Sequence, residues 1–249
     1  MNVLSIGNSF SNNAHHFLPK MAEADGEELM LCNLFIGGCS LEQHWKNWRE
    51  EKTDYEYEIY LPFETEMTRV DDIALHEVVE DEEWDVITLQ QCSHLSGIRE
   101  SYSPYLSELA EYCRMVQPNA KIMLHQTWAY ENGCQHPGFS NYGKSQQEMY
   151  RMLTEAYVDA ALEADIDLII PSGRAWQTAR NVIGDKLTVD GYHGNDLGCY
   201  LAGACFYEMI FNKSIHDNSF ALPNIDKNIM ETLKICVSSA VEKGIMQKQ

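Results

Sequence analysis

The chain has 249 residues and a formal net charge of −20, from 18 Lys and Arg against 38 Asp and Glu. That balance excludes a nucleic-acid surface, where phosphate contacts need clustered Lys and Arg, and it disfavours anionic lipid surfaces and polyanionic substrates. A neutral substrate, such as an esterified sugar, meets no such objection.

The length suits a single α/β domain over residues 1–249, with no linker-like window and no internal repeat. The start lacks a basic region followed by an apolar one. No run approaches the roughly eighteen apolar residues of a membrane helix. The expectation is a cytoplasmic protein without membrane contact. The eight cysteines are scattered with no C-x-x-C pair, so most should be small buried apolar residues in a reducing compartment.

In chain order, Val3, Leu4 and Ile6 form an apolar run broken by Gly7. This reads as a buried strand ending in Gly-x-Ser, with Ser9 at its carboxyl end and a helix from Ser11 to about Ala24. Leu29 to Phe35 is a second strand, ended by Gly37-Gly38, and Leu41 to about Glu50 is helical. Residues 53–70 break the rhythm. Y-E-Y-E-I-Y alternates, Pro62 interrupts, and T-E-M-T-R-V returns as a hairpin, an inserted arm or flap beside the sheet. A helix over Asp71–Glu82 and a third strand over Asp85–Leu89 lead to the polar Gln90-Gln91.

Pro104 to Val116 is helical, and Lys121 begins the fourth strand. A long aromatic loop follows, from His125 to Gly143, of a length usually reserved for function. Ser145 to Ala164 is a helix, Asp167 to Ile170 the fifth strand, and a short helix precedes the polar loop from Gly184 to Gly194. Helices over Asp196–Phe211 and Ile225–Glu242 close the chain. Five apolar strands alternating with helices predict a three-layer α/β/α sandwich with a five-stranded parallel sheet of flavodoxin-like type.

Four strand ends or loops bring chemistry to one edge of such a sheet: Ser9, Gly37-Gly38, Gln90-Gln91 and Asp190-Gly191-Tyr192-His193. A serine needs a base to take its proton, and a histidine base needs a carboxylate on its other nitrogen. Ser9 with His193 and Asp190 fits that pattern as a catalytic group. The backbone N–H groups of Ser9 and Gly38, with the side-chain amide of Gln90, could form an oxyanion hole; Gln91 is the alternate third donor.

This order of motifs resembles the SGNH hydrolase (GDSL-like esterase) superfamily. The matching segments are G-N-S-F-S, G-G-C-S and D-G-Y-H. The chain carries Asn8 where the family usually has Asp, and L-Q-Q-C-S where it expects G-x-N-D. A glutamine at that point is similar to the carbohydrate O-acetylesterase branch, with Ser93 matching the serine of its Q-G-E-S-like segment. The resemblance implies hydrolysis of small acyl esters, acetyl above all, on a carbohydrate. The route is an acyl-serine intermediate, with no metal or organic cofactor.

Plainer readings stand beside these. Ser9 also suits a helix N-cap, Gly37-Gly38 a tight turn, and D-x-x-H a loop-stabilising pair. His15, His16, His44, His94, His125 and His136 match no standard metal spacing. Trp128, Tyr130 and Tyr192 could form a sugar-stacking wall, with Trp128 and Tyr192 as substrate-binding residues, or could simply pin the loop. Two other functions fit the same fold: a non-catalytic carbohydrate-binding protein, and a lipase- or thioesterase-like hydrolase of longer acyl chains. Oligomeric state is not legible in the chain.

Overall fold

The computed structural model describes residues 1–244. Strand β1 (Asn2–Gly7) leads into α1 (Ser9–His15) and α2 (Leu18–Ala24), then β2 (Met30–Phe35) and α3 (Leu41–Arg49). A hairpin of β3 (Tyr55–Tyr60) and β4 (Thr68–Ile73) precedes α4 (Leu75–Asp81) and β5 (Val86–Leu89). The chain continues through α5 (Tyr105–Val116), β6 (Lys121–His125), α6 (Gln146–Glu163) and β7 (Leu168–Ile170). It ends in α7 (Ser172–Ile183), α8 (Asp196–Phe211) and α9 (Lys227–Gly244).

One seven-stranded sheet runs in the order β4-β3-β2-β1-β5-β6-β7. The five strands β2, β1, β5, β6 and β7 are parallel, in the flavodoxin-like order. Helices α1, α2, α7, α8 and α9 pack together on one face, and α3, α4 and α5 on the other. The fold is the expected α/β/α sandwich. β1 and β5 are buried almost throughout, which is why both read as mainly apolar runs, with Ser5 and Thr88 buried among them. The crossovers from β1 to β2 and from β2 to β5 leave the sheet on opposite sides of β1. The crevice this opens lies at the carboxyl end of β1.

Three expectations need correcting. The hairpin is an edge of the sheet and not a flap: β3 pairs antiparallel with β2, and β4 with β3. The strand β4 extends to Ile73, so α4 starts only at Leu75, where the Glu77 carboxylate accepts from Ala74 N at 2.7 Å. The exposed edge carries Arg69, Asp71 and Asp72, charges that discourage pairing with another strand. The first helix is also two helices. Pro19 has no N–H to give the carbonyl of His15, so the helix breaks before it and restarts at Leu18.

All eight cysteines are buried and none is disulfide-bonded. No helix among the described residues is long and apolar enough to cross a membrane.

Three histidines lie fully inside. His15 Nε2 sits 2.9 Å from Ser5 Oγ, and His44 Nδ1 2.9 Å from the Tyr55 hydroxyl. His125 lies between Gln90 and Ser172. Burial pushes each imidazole down to about 3, so all three are neutral in the fold. In the unfolded chain the same groups take up a proton near pH 6.5. Below that pH the unfolded chain binds more protons, so this contribution to stability is complete above 6.5 and is lost as the pH falls towards 3. Each histidine costs about 1.4 kcal/mol per pH unit once the pH is well below 6.5. The urea midpoint should therefore drop steeply between about pH 6.5 and 4.5; a flat profile over that range would contradict neutral burial.

Candidate active site

The site begins where β1 stops. Gly7 ends the strand in close contact with Ser11 and Asn33, an approach that leaves no room for a Cβ. Asn8 then caps α1, its Oδ1 accepting from Phe10 N at 3.0 Å. The same oxygen accepts from Gln90 Nε2 at 2.7 Å, and Asn8 Nδ2 donates to the Cys39 carbonyl at 3.0 Å. One buried side chain thus ties together the segments following β1, β2 and β5. Ser9, the next residue, is the first of α1, and a first-turn N–H has no acceptor within its own helix.

The partners of Ser9 arrive from the far end of the chain. His193 Nε2 lies 2.9 Å from Ser9 Oγ, and His193 Nδ1 lies 2.7 Å from Asp190 Oδ2. The other carboxylate oxygen of Asp190 accepts from the backbone N–H of Tyr192 at 3.1 Å and of His193 at 2.8 Å. Partial burial works against ionisation of Asp190, but the hydrogen bonds from His193 and Tyr192 outweigh it and hold the carboxyl below its ordinary range. An ionised Asp190 fixes the Nδ1–H tautomer of His193 and leaves Nε2 free to accept from the serine hydroxyl.

The loop carrying Asp190 and His193 is anchored from below. The buried Arg180 guanidinium donates from Nε to Asp185 Oδ1 and from Nη1 to the Ala129 carbonyl, both at 2.8 Å. Asp185 Oδ2 accepts from Gln146 Nε2 at 2.7 Å. Glu131 N donates to the Gly191 carbonyl at 2.8 Å, and Gly194 N to Asn13 Oδ1 at 2.9 Å. Gly191 has φ +97° and backs onto Cys134, a conformation and a contact that suit only glycine.

A cleft of about 310 Å³ opens over Ser9, walled by Gly37, Gly38, Ser93, His94, His136, Tyr192 and His193. Gly38 has φ +65° and open space where a Cβ would be. The 3₁₀ turn Ser93–Leu95 after β5 supplies Ser93 and His94. The imidazoles of His94 and His136 stack at 5.7 Å, and Tyr192 lies against His193 at 4.2 Å.

The structure brings Ser9, Gly38, Tyr192, His193 and Asp190 together, but not Gln90 or Trp128. Gln90 is buried behind the Ser9 turn. Its Nε2 is engaged by Asn8, and its Oε1 accepts from His125 Nδ1 at 2.7 Å. It braces the turn and does not line the cleft. Gln91 is no substitute, being fully buried and bonded to Leu41 N, Cys92 N and Ser101. Trp128 is also fully buried, stacked between Phe10 at 4.4 Å and Trp176 at 4.1 Å, with Nε1 donating to the Tyr192 carbonyl. It supports the wall without being part of it. His94 and His136 are the cleft residues that sequence reasoning missed. Only the length of the aromatic loop hinted at the second.

Replacing Asn8 with Ala removes the cap and strands buried partners on three segments. The expected loss is about 2–4 kcal/mol of unfolding free energy, read from urea unfolding; a loss under about 0.5 kcal/mol would contradict its role as the tie.

The chain matches a family described as a domain of unknown function, DUF4886, over residues 2–237. It is similar to the crystal structure of a DUF4886 family protein from Bacteroides uniformis, at 37% identity and a TM-score of 0.94, covering 97% of this chain and 95% of that one. An acetylxylan esterase from Geobacillus stearothermophilus shares the fold at 13% identity and a TM-score of 0.55, covering 84% of this chain and 93% of that one. A GDSL-like lipase from Bacteroides thetaiotaomicron does so at 13% identity and a TM-score of 0.51, covering 85% and 88%. At that identity the likeness is one of fold alone. No curated protein matches the sequence. The family match over nearly the whole length, together with the Bacteroides uniformis relative, places this chain in the DUF4886 family.

Proposed function

We propose that this protein is a serine esterase that hydrolyses small acyl esters, acetyl above all, from a carbohydrate. The observation that carries the reading is the continuous line of hydrogen bonds from Ser9 Oγ through His193 to Asp190, set at the lip of an open cleft. A protein that only bound sugars would have no need of a base held against a serine hydroxyl.

Ser9 Oγ attacks the ester carbonyl while His193 Nε2 takes the hydroxyl proton. The carbonyl oxygen becomes an oxyanion, received by the backbone N–H groups of Ser9 and Gly38. Each such donor is worth roughly 3–4 kcal/mol in the transition state. The tetrahedral species collapses, His193 returns the proton to the departing alcohol, and an acyl-serine remains. Water then attacks the acyl carbon, giving its proton to His193, and Ser9 leaves as the hydroxyl. Asp190 stays ionised throughout and stabilises the imidazolium. No cofactor enters these steps.

The walls favour a short acyl group. Apart from Phe10 they are glycine, serine, asparagine, histidine and tyrosine, in a cleft of about 310 Å³. Turnover of nitrophenyl esters should fall steadily from acetyl to octanoyl; a rise with chain length would favour the lipase-like alternative.

Intact-mass analysis after treatment with a fluorophosphonate should show a single adduct that Ser9→Ala lacks. Asp190→Asn should lower kcat by roughly 10²–10⁴-fold, since the wrong tautomer of His193 is then favoured. A folded wild-type protein that neither labels nor hydrolyses acetyl esters would remove the esterase reading.

A further inference from the structure

The space available to a substrate does not end at Ser9. A second cavity of about 520 Å³ lies against the Gly37-Gly38 turn, and the two cavities share Gly37, Gly38 and His94 in their walls. We propose that this second cavity is the leaving-group subsite of the esterase, taking a neutral, hydroxyl-rich alcohol of sugar type. The assignment rests on the esterase reading above.

Position comes first. An ester whose carbonyl lies between Ser9 and Gly38 has its acyl side in the smaller cleft. Its alcohol side can cross the glycine pair, where no side chain stands in the way: a Cβ on Gly38 would meet nothing within 4 Å, and one on Gly37 only the edge of Phe35. Together the two cavities offer far more room than an acetyl group needs.

Chemistry comes second. Beside the apolar Ile36, Cys39 and Leu95, the second cavity is lined by Ser40, Gln43, Asn47 and Asp54, from α3 with its N-cap and the approach to β3. Gln43 is held by its own hydrogen bonds: its N–H donates to Ser40 Oγ at 3.2 Å, and its Nε2 to the Oδ1 of buried Asn47 at 2.6 Å. That second bond fixes the amide plane and leaves Oε1 as an acceptor. Asp54 is exposed at the rim and offers two carboxylate oxygens. Adjacent acceptors of this kind suit the paired hydroxyls of a sugar ring.

Charge comes third. Among the described residues, neither cavity has a Lys or Arg in its wall, and Asp54 repels anions. A phosphate-bearing carrier, such as a nucleotide-linked thioester, would find no cation there. The subsite therefore separates a sugar ester from a carrier thioester, two substrates the catalytic residues alone cannot tell apart.

The test compares three substrates on the full chain: 4-nitrophenyl acetate, mono-O-acetylated xylobiose and acetyl-coenzyme A. In Asp54→Ala and Gln43→Ala, the ratio of kcat/KM for the disaccharide to that for nitrophenyl acetate should fall about tenfold, chiefly through a higher disaccharide KM. Asp54→Asn, which keeps one acceptor oxygen, should recover part of the loss. Wild type should prefer the disaccharide over acetyl-coenzyme A. If wild type hydrolyses both esters and the ratio is unmoved in the variants, or if the thioester is preferred, the subsite is wrong and the esterase stands. If wild type hydrolyses none of the three, the esterase reading falls and takes the subsite with it.

Discussion

The site depends on one buried amide. Asn8 reaches three segments at once: it caps α1, holds the carbonyl of Cys39 beyond β2, and receives Gln90 beyond β5. An aspartate could serve the first and third of these as an acceptor, but it would face the Cys39 carbonyl oxygen with another oxygen. The amide supplies the missing donor. It also extends a directional chain, since His125 donates to Gln90 and accepts from Ser172 on the far side at 3.1 Å. That direction requires a neutral imidazole, which complete burial enforces. The position of Ser9 is thus fixed largely by buried polar groups behind the cleft.

Two histidines show how burial divides their roles. His125 sits in the interior, kept neutral and fixed between two side chains, and its work is structural. His193 stands at the surface loop, partly open to water, with an ionised carboxylate on one nitrogen and the serine on the other. The same ring is a strut in one setting and, in the proposed reaction, a proton carrier in the other. Solvent access decides which, because a base that must charge in each cycle cannot sit where charging is prohibitively costly.

Much of this was legible in the sequence, for physical reasons that also explain the failures. The parallel strands announced themselves because both of their faces are buried, so apolar residues dominate each run. The hairpin was legible as a pair of strands but not as part of the sheet, because β4 is an exposed, charged edge. Pro19 broke a helix whose apolar spacing ran straight through it. Ser9, Asp190 and His193 stood out because Ser9 follows the first strand and the D-x-x-H pair falls in a glycine-containing loop just before α8. Gln90 and Trp128 were misplaced because residue type says nothing about which side of a turn a side chain takes. A one-residue difference in direction separates a cleft wall from the core behind it. His94 and His136 carry no spacing signal at all, since a 3₁₀ turn and a long loop bring them together.

The separation of Ser9 from His193, 184 positions along the chain, has a consequence for synthesis. A chain emerging from the ribosome exposes Ser9 long before His193, 184 residues later. Strand β1 cannot be flanked on both sides until β5 exists, and the base cannot dock until the Arg180 anchor has been made. For most of its synthesis the protein therefore carries an ordinary alcohol at position 9. If Ser9 is the proposed nucleophile, its activation by His193 must wait until the fold is nearly complete.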